Sequence, residues 1–113
     1  KGIAIFEKDK PLWFDKFNQI YACGDQYIKN GIIENENVNL WGAGMVFRKK
    51  IWDTIKSLNY DFFLNAQRNK KDSSGGDDTE LNEISKWLGY KLYYDDSMIF
   101  EHFMPTKREK INI

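Results

Sequence analysis

Short apolar runs of strand length alternate along this chain with stretches of helical periodicity, in the order strand, helix, loop, strand, helix, loop, helix, strand, strand. Elements with one apolar face must bury it on a neighbour, and this order confines the chain to an α/β fold, a mixed sheet flanked by helices. The opening run Gly2-Ile3-Ala4-Ile5-Phe6 has the character of a buried strand. It comes with no preceding helix or turn, so the chain is expected to begin in mid-fold. After Pro11, the spacing of Leu12, Phe14, Phe17 and Tyr21 predicts an amphipathic helix that stops near Gly24. The polar stretch 25–39 reads as a loop around the apolar pair Ile32-Ile33. Ile51, Ile55 and Leu58 share one face of a helix over 49–58, with Asn59 as its stop. Residues 66–76 read as a second loop, after which a helix starts at Asp77, carries Leu81, Ile84 and Leu88 on one face and closes at Gly89. Residues 91–94 and 98–103 read as two strands, or as one strand and an extended segment, and the charged tail from Pro105 is expected to be loose.

A length of 113 residues with 42% hydrophobic composition suits a single domain, 1–113, with a modest core. Seventeen Lys plus Arg balance seventeen Asp plus Glu, so the chain lacks the electrostatic footprint of a nucleic-acid or anionic-lipid binder. No apolar run approaches the roughly 20 residues of a transmembrane helix, and the start lacks the layout of a signal peptide. The one cysteine, Cys23, has no Cys or His at metal-ligand spacing; it fits a reducing cytoplasmic compartment and a packing role. With His102 as the one histidine, Cys–His nucleophiles and multi-histidine zinc sites lack parts. Carboxylates must therefore carry any chemistry.

The richest carboxylate cluster is Gly75-Gly76-Asp77-Asp78-Thr79-Glu80-Leu81. An Asp followed three residues later by Glu resembles a capping box, and the free N–H groups and dipole of a helix start favour an anion there, so capping by itself accounts for Asp77, Asp78 and Glu80. A calcium loop counted from Asp72 needs glycine at its sixth position, which is Asp77, so that reading fails. Asp95-Asp96 reads as a turn between strands. In Trp41-Gly42-Ala43-Gly44, two glycines precede an expected strand over 45–48, where a missing Cβ serves a sharp turn or close approach. His102, between Phe100 and Phe103, reads by itself as a packing histidine.

Taken together, Trp41-Gly42-Ala43-Gly44-Met45-Val46-Phe47-Arg48-Lys49, the Gly75–Leu81 cluster, Leu88-Gly89-Tyr90-Lys91-Leu92-Tyr93-Tyr94, and His102-Phe103-Met104-Pro105 with Arg108 resemble family 2 glycosyltransferases in residue type, order and spacing. Pro11-Leu12-Trp13-Phe14 and Tyr21-Ala22-Cys23-Gly24-Asp25-Gln26 extend the resemblance over nearly the whole chain. It implies the C-terminal, acceptor-side half of a GT-A fold and an inverting transfer of sugar from a nucleotide-sugar donor to an acceptor hydroxyl, with Asp78 as general base. A sugar hydroxyl is a poor nucleophile, so a carboxylate must take its proton as it attacks. The resemblance further implies acceptor binding by Asp77, Trp41, Gly42, Ala43 and Gly44, diphosphate binding by Arg108, supporting roles for Arg48 and Glu80, and a share for His102 in holding Mg²⁺ or Mn²⁺. For several residues a plainer role stays open: core packing for Trp41, an ion pair for Arg48, a capping box for Glu80, a solvated side chain for Arg108.

The Asp-x-Asp motif with which this family holds metal and diphosphate does not occur in the 113 residues. The chain therefore resembles a region of a longer enzyme, expected neither to bind nucleotide sugar tightly nor to turn over in isolation, and to leave a sheet face or edge open for homodimerisation. The full-length protein would act in bacterial polysaccharide or glycoconjugate assembly, in the cytoplasm or at the inner face of the membrane. A rival reading, supported by four Trp, six Tyr and neutral charge, is a non-catalytic carbohydrate-binding or interaction module. A purely structural domain would show no acidic cleft beside Trp41.

Overall fold

The computed structural model describes residues 1–62 and 77–108, apart from the side chains of Asp77 and Arg108. The expected loop 66–76 and the tail past Arg108 lie outside the described residues.

The opening run forms β1, Gly2–Phe6, and its parallel partner is the late strand β4, Phe100–Met104, with Gly2 opposite Phe100 and Phe6 opposite Met104. Side chains alternate across the pair. Ala4, Phe6 and Met104 turn inward, while Ile3, Ile5 and Phe103 face out and are exposed. The inward side meets a core of Phe14, Cys23 and Met104, in which the Phe6 ring stands edge-on to Phe14 at 4.7 Å and Tyr21 stacks on Phe14 at 5.7 Å. Cys23 packs here as a small apolar residue, and burial pushes its thiol pKa up.

This aromatic cluster reshapes the helix expected after Pro11. Only one α turn forms, α1, Phe14–Phe17, and the chain continues as a 3₁₀ helix, Asn18–Tyr21, ending at a left-handed Ala22. Leu12 is fully exposed, so the apolar spacing that predicted a longer helix does not mark one buried face; Phe14 and Tyr21 point into the core because the rings pack on one another.

Within the expected loop 25–39, Gly31–Ile32 forms β2 and pairs antiparallel with β3, Tyr93–Tyr94. Among the described residues the strands thus form two two-stranded sheets, one parallel and one antiparallel. Residues 45–48, expected as a strand, have no ladder partner among the described residues and run into α2, Lys49–Ser57. That helix buries Ile51 and Ile55 and stops at Asn59, which takes the left-handed conformation its short polar side chain tolerates. The helix at the acidic cluster is α3, Asp77–Trp87. It closes in a Schellman motif, with Tyr90 N–H donating to Ser85 O, Gly89 N–H donating to Lys86 O and Gly89 left-handed at φ +93°. The tail from Pro105 opens as a short 3₁₀ helix, Thr106–Arg108, where loose chain was expected.

Candidate active site

Asp78, Asn82 and Lys86 recur every four residues on α3 and so project from one face. That face grips segment 36–42 along its length. Lys86 Nζ donates to the carbonyls of Glu36 (2.9 Å) and Val38 (3.2 Å) and to Asn39 Oδ1 (2.7 Å). Asn82, almost fully buried, donates to Leu40 O at 2.8 Å and accepts from Leu40 N–H at 3.1 Å. Asp78 Oδ2 accepts from Gly42 N–H at 2.9 Å. Glu83 adds a contact from the side, accepting from Asn39 Nδ2, and this bond together with Lys86 holds its carboxyl below the usual range. Helix and segment run in opposite senses, and the Trp41–Gly44 turn is thereby fixed against the helix start.

The turn itself is closed by Met45 N–H donating to Gly42 O. Gly44 sits at φ +72° with the Phe100 ring against its α-carbon, where a Cβ would overlap the ring. Gly42 lies so near Asp78 that a Cβ there would be 3.2 Å from the Asp78 Cβ. The Trp41 N–H donates to Gln26 Oε1 at 2.7 Å.

Asp78, Trp41, Gly42 and Ala43 meet Gln19, Ile20 and Ala22 around an open cleft of about 460 Å³, within the size range of small-ligand sites. Asp78 is half-buried in its wall. Its second oxygen, Oδ1, accepts from Thr79 N–H at 2.9 Å, so each carboxylate oxygen has one backbone donor and capacity for another. The acid and the Trp41-Gly42-Ala43 segment, far apart in sequence, thus line one cleft. Gly44 turns to Phe100 instead and is absent from the cleft wall.

The remaining sequence candidates sit elsewhere. Glu80 is buried and accepts from the Tyr60 hydroxyl at 2.8 Å, which raises the Tyr60 pKa. Arg48 is exposed just before α2 and borders a different cavity with Met45, Phe47 and Leu81. His102 lies on β4 opposite Ala4, half-buried, with its ring 6.4 Å from Phe100 and its buried Nδ1 without a hydrogen-bond partner among the described residues. Among the described residues no group of three or more His, Cys, Asp and Glu side chains could hold a metal, so His102 fits a cation only as one ligand in a set completed by groups outside these residues. The side chains of Asp77 and Arg108 lie outside the description.

Sequence reasoning missed Asn82, Lys86, Gln26 and Gln19. For the first two a signal exists: hydrogen-bonding side chains at four-residue spacing on a helix whose apolar face carries few large residues. No described helix is long and apolar enough to cross a membrane. Comparison of the chain with protein-family models, with curated proteins and with solved structures finds no match.

Proposed function

We propose that this chain is the acceptor-side part of an inverting glycosyltransferase of the GT-A type, with Asp78 as general base. The observation that supports it is the meeting of Asp78 with the Trp41-Gly42-Ala43 turn at one cleft, the carboxylate oriented by the Gly42 and Thr79 N–H groups. An acceptor sugar would lie in the cleft with its apolar ring face on Trp41. Its attacking hydroxyl would give its proton to Asp78 as the oxygen bonds the anomeric carbon of the donor and the nucleoside diphosphate leaves with the electrons of the broken bond. Fixing the carboxylate beforehand lowers the cost of reaching that geometry. His102 and Arg108 are the residues of this chain that would meet the diphosphate and its Mg²⁺ or Mn²⁺, which supplies neutralisation of the leaving group. The donor-side elements belong, on this reading, to other parts of the full-length protein.

The same cleft also suits a module that holds a sugar without transferring it. The deciding experiment is Asp78→Asn in the full-length protein, measuring sugar transfer and nucleoside diphosphate release over a panel of nucleotide sugars, with donor affinity measured in parallel. A base predicts a loss of about 10²-fold or more in transfer with donor binding retained. Transfer that survives the substitution sinks the assignment, and sugar binding without any turnover in the unaltered protein favours the module.

A further inference from the structure

A second cleft, of about 870 Å³, opens at the other end of α3, between that helix and segment 32–37. Its lining includes Trp87, Tyr90, Glu34, Asn35, Glu36 and Asn37. Trp87 is 81% exposed, a large apolar surface left in water at the mouth of a polar cavity. Among the described residues, the side chains of Glu34, Glu36 and Asn37 make no hydrogen bond or ion pair, and of Asn35 only Oδ1 is engaged, by Asn37 N–H. The wall that carries them is nevertheless held in place, because Lys86 binds the carbonyls of Glu36 and Val38. The backbone that presents these exposed side chains is thus fixed, which lowers the ordering cost of binding a ligand there.

The chemistry of the lining selects the ligand class. A flat, exposed indole offers a surface to the C–H face of a pyranose, and carboxylates with carboxamides accept and donate to its hydroxyls. Glu34, Glu36 and Glu83 in the lining disfavour phosphate and other anions, while Lys86 and Lys91 temper the field against a strongly cationic ligand. A neutral sugar satisfies both constraints. We propose that this cleft is a second carbohydrate-binding site, taking a neutral oligosaccharide by stacking one ring on Trp87 and hydrogen-bonding its hydroxyls to Glu34 and Glu36. From Asp78 to Trp87 the helix rises about 14 Å, so this site holds a sugar unit remote from the one at Asp78. It does not rest on the transferase reading, since it binds sugar whether or not Asp78 reacts.

The test is calorimetry and affinity electrophoresis of the full-length protein with neutral gluco-, galacto- and manno-oligosaccharides, and with a lysine-rich peptide as the competing class. The expected result is oligosaccharide binding that weakens about ten-fold in Trp87→Ala, weakens in Glu36→Gln and largely survives in Trp87→Phe. Trp87 is exposed, so Trp87→Ala should unfold at the wild-type temperature, which makes loss of binding attributable to the lost ring. Failure of every neutral oligosaccharide to bind at millimolar concentration overturns the proposal, as does equal binding by Trp87→Ala, or binding of the peptide alone. Binding through Trp87 in a protein that shows no Asp78-dependent transfer upholds this site and removes only the transferase reading.

Discussion

The main-chain N–H of Gly42 donates to the Asp78 carboxylate at 2.9 Å across a sequence separation of 36 residues. Gly42 eases this approach, because a Cβ there would stand 3.2 Å from the Asp78 Cβ, closer than ordinary packing. Gly42 orients the acid and the acid holds the turn. Replacing Gly42 by Ala should push the two apart by a few tenths of an ångström, at a cost of about 1 kcal/mol. On the transferase reading, transfer should fall about ten-fold because the base leaves its productive position. Thermal unfolding and kcat, measured on the same variant, check the two halves separately.

Gly44→Ala should be more damaging to stability than Gly42→Ala. It places a side chain at φ +72° and drives a methyl into the Phe100 ring, which together should cost about 2–4 kcal/mol. Urea unfolding of Gly44→Ala, Phe100→Leu and the double variant forms a cycle. Relief of the clash predicts that the double variant loses less than the sum of the single losses.

Asn82→Ala removes the bonds to both Leu40 groups and the bond from Nδ2 to Asp78 O at 2.6 Å. Leaving partly buried backbone groups unpaired should cost about 2–4 kcal/mol by denaturant unfolding. Asn82→Asp keeps the acceptor for Leu40 N–H and loses the donor, so it should not restore stability. If Asn82→Ala unfolds like the wild type, segment 36–42 does not depend on this clamp.

The pair Tyr94–Asp25 sets a pH dependence with two limbs. Burial, and then the hydrogen bond from its hydroxyl to Asp25 Oδ1 at 2.8 Å, push the Tyr94 pKa from its usual 10.0 to about 12. The folded value is the higher one, so this contribution is complete below pH 10 and is lost as the pH rises from there through about 12. Asp25 moves the other way, held below the usual 3.8 by the Tyr94 hydroxyl and then by the Lys1 ammonium at 3.4 Å. Its contribution is complete above 3.8 and fades as the pH falls through the lower folded value. Tyr94→Phe should therefore be less stable than the wild type at neutral pH by about 1 kcal/mol, with the gap closing at both extremes. Unfolding curves of both proteins across the pH range test this, and a constant gap would contradict it.

Much of the local structure was legible in the sequence. Gly2–Phe6 as a strand, Ile51 and Ile55 on the buried face of a helix ending at Asn59, and a helix from Asp77 closed by Gly89 all follow from periodicity and from residues that tolerate positive φ. These depend on neighbours within a turn or two, which the sequence displays directly. Misread were the segments whose conformation answers to distant partners. Ile32 joins a strand because Tyr93 offers it a ladder; 45–48 finds no ladder partner among the described residues and makes no strand. Beyond Pro11, aromatic rings packing around Met104 decide between α and 3₁₀ turns.

The candidate site divides in the same way. From sequence alone, this chain is an α/β domain of balanced charge whose acids gather at a helix start and whose two glycines mark a tight turn. Only the tertiary structure joins acid to turn: the side chains of Asp78, Asn82 and Lys86 on α3 bind segment 36–42 by hydrogen bonds whose partners on that segment are mostly main-chain atoms, identical at every position and so invisible in a string of side chains. The same is true of the cleft at Trp87, made by the meeting of a helix end with segment 32–37 about fifty residues earlier in the chain. Local chemistry specifies the elements, and long-range hydrogen bonding and packing decide which surfaces face one another.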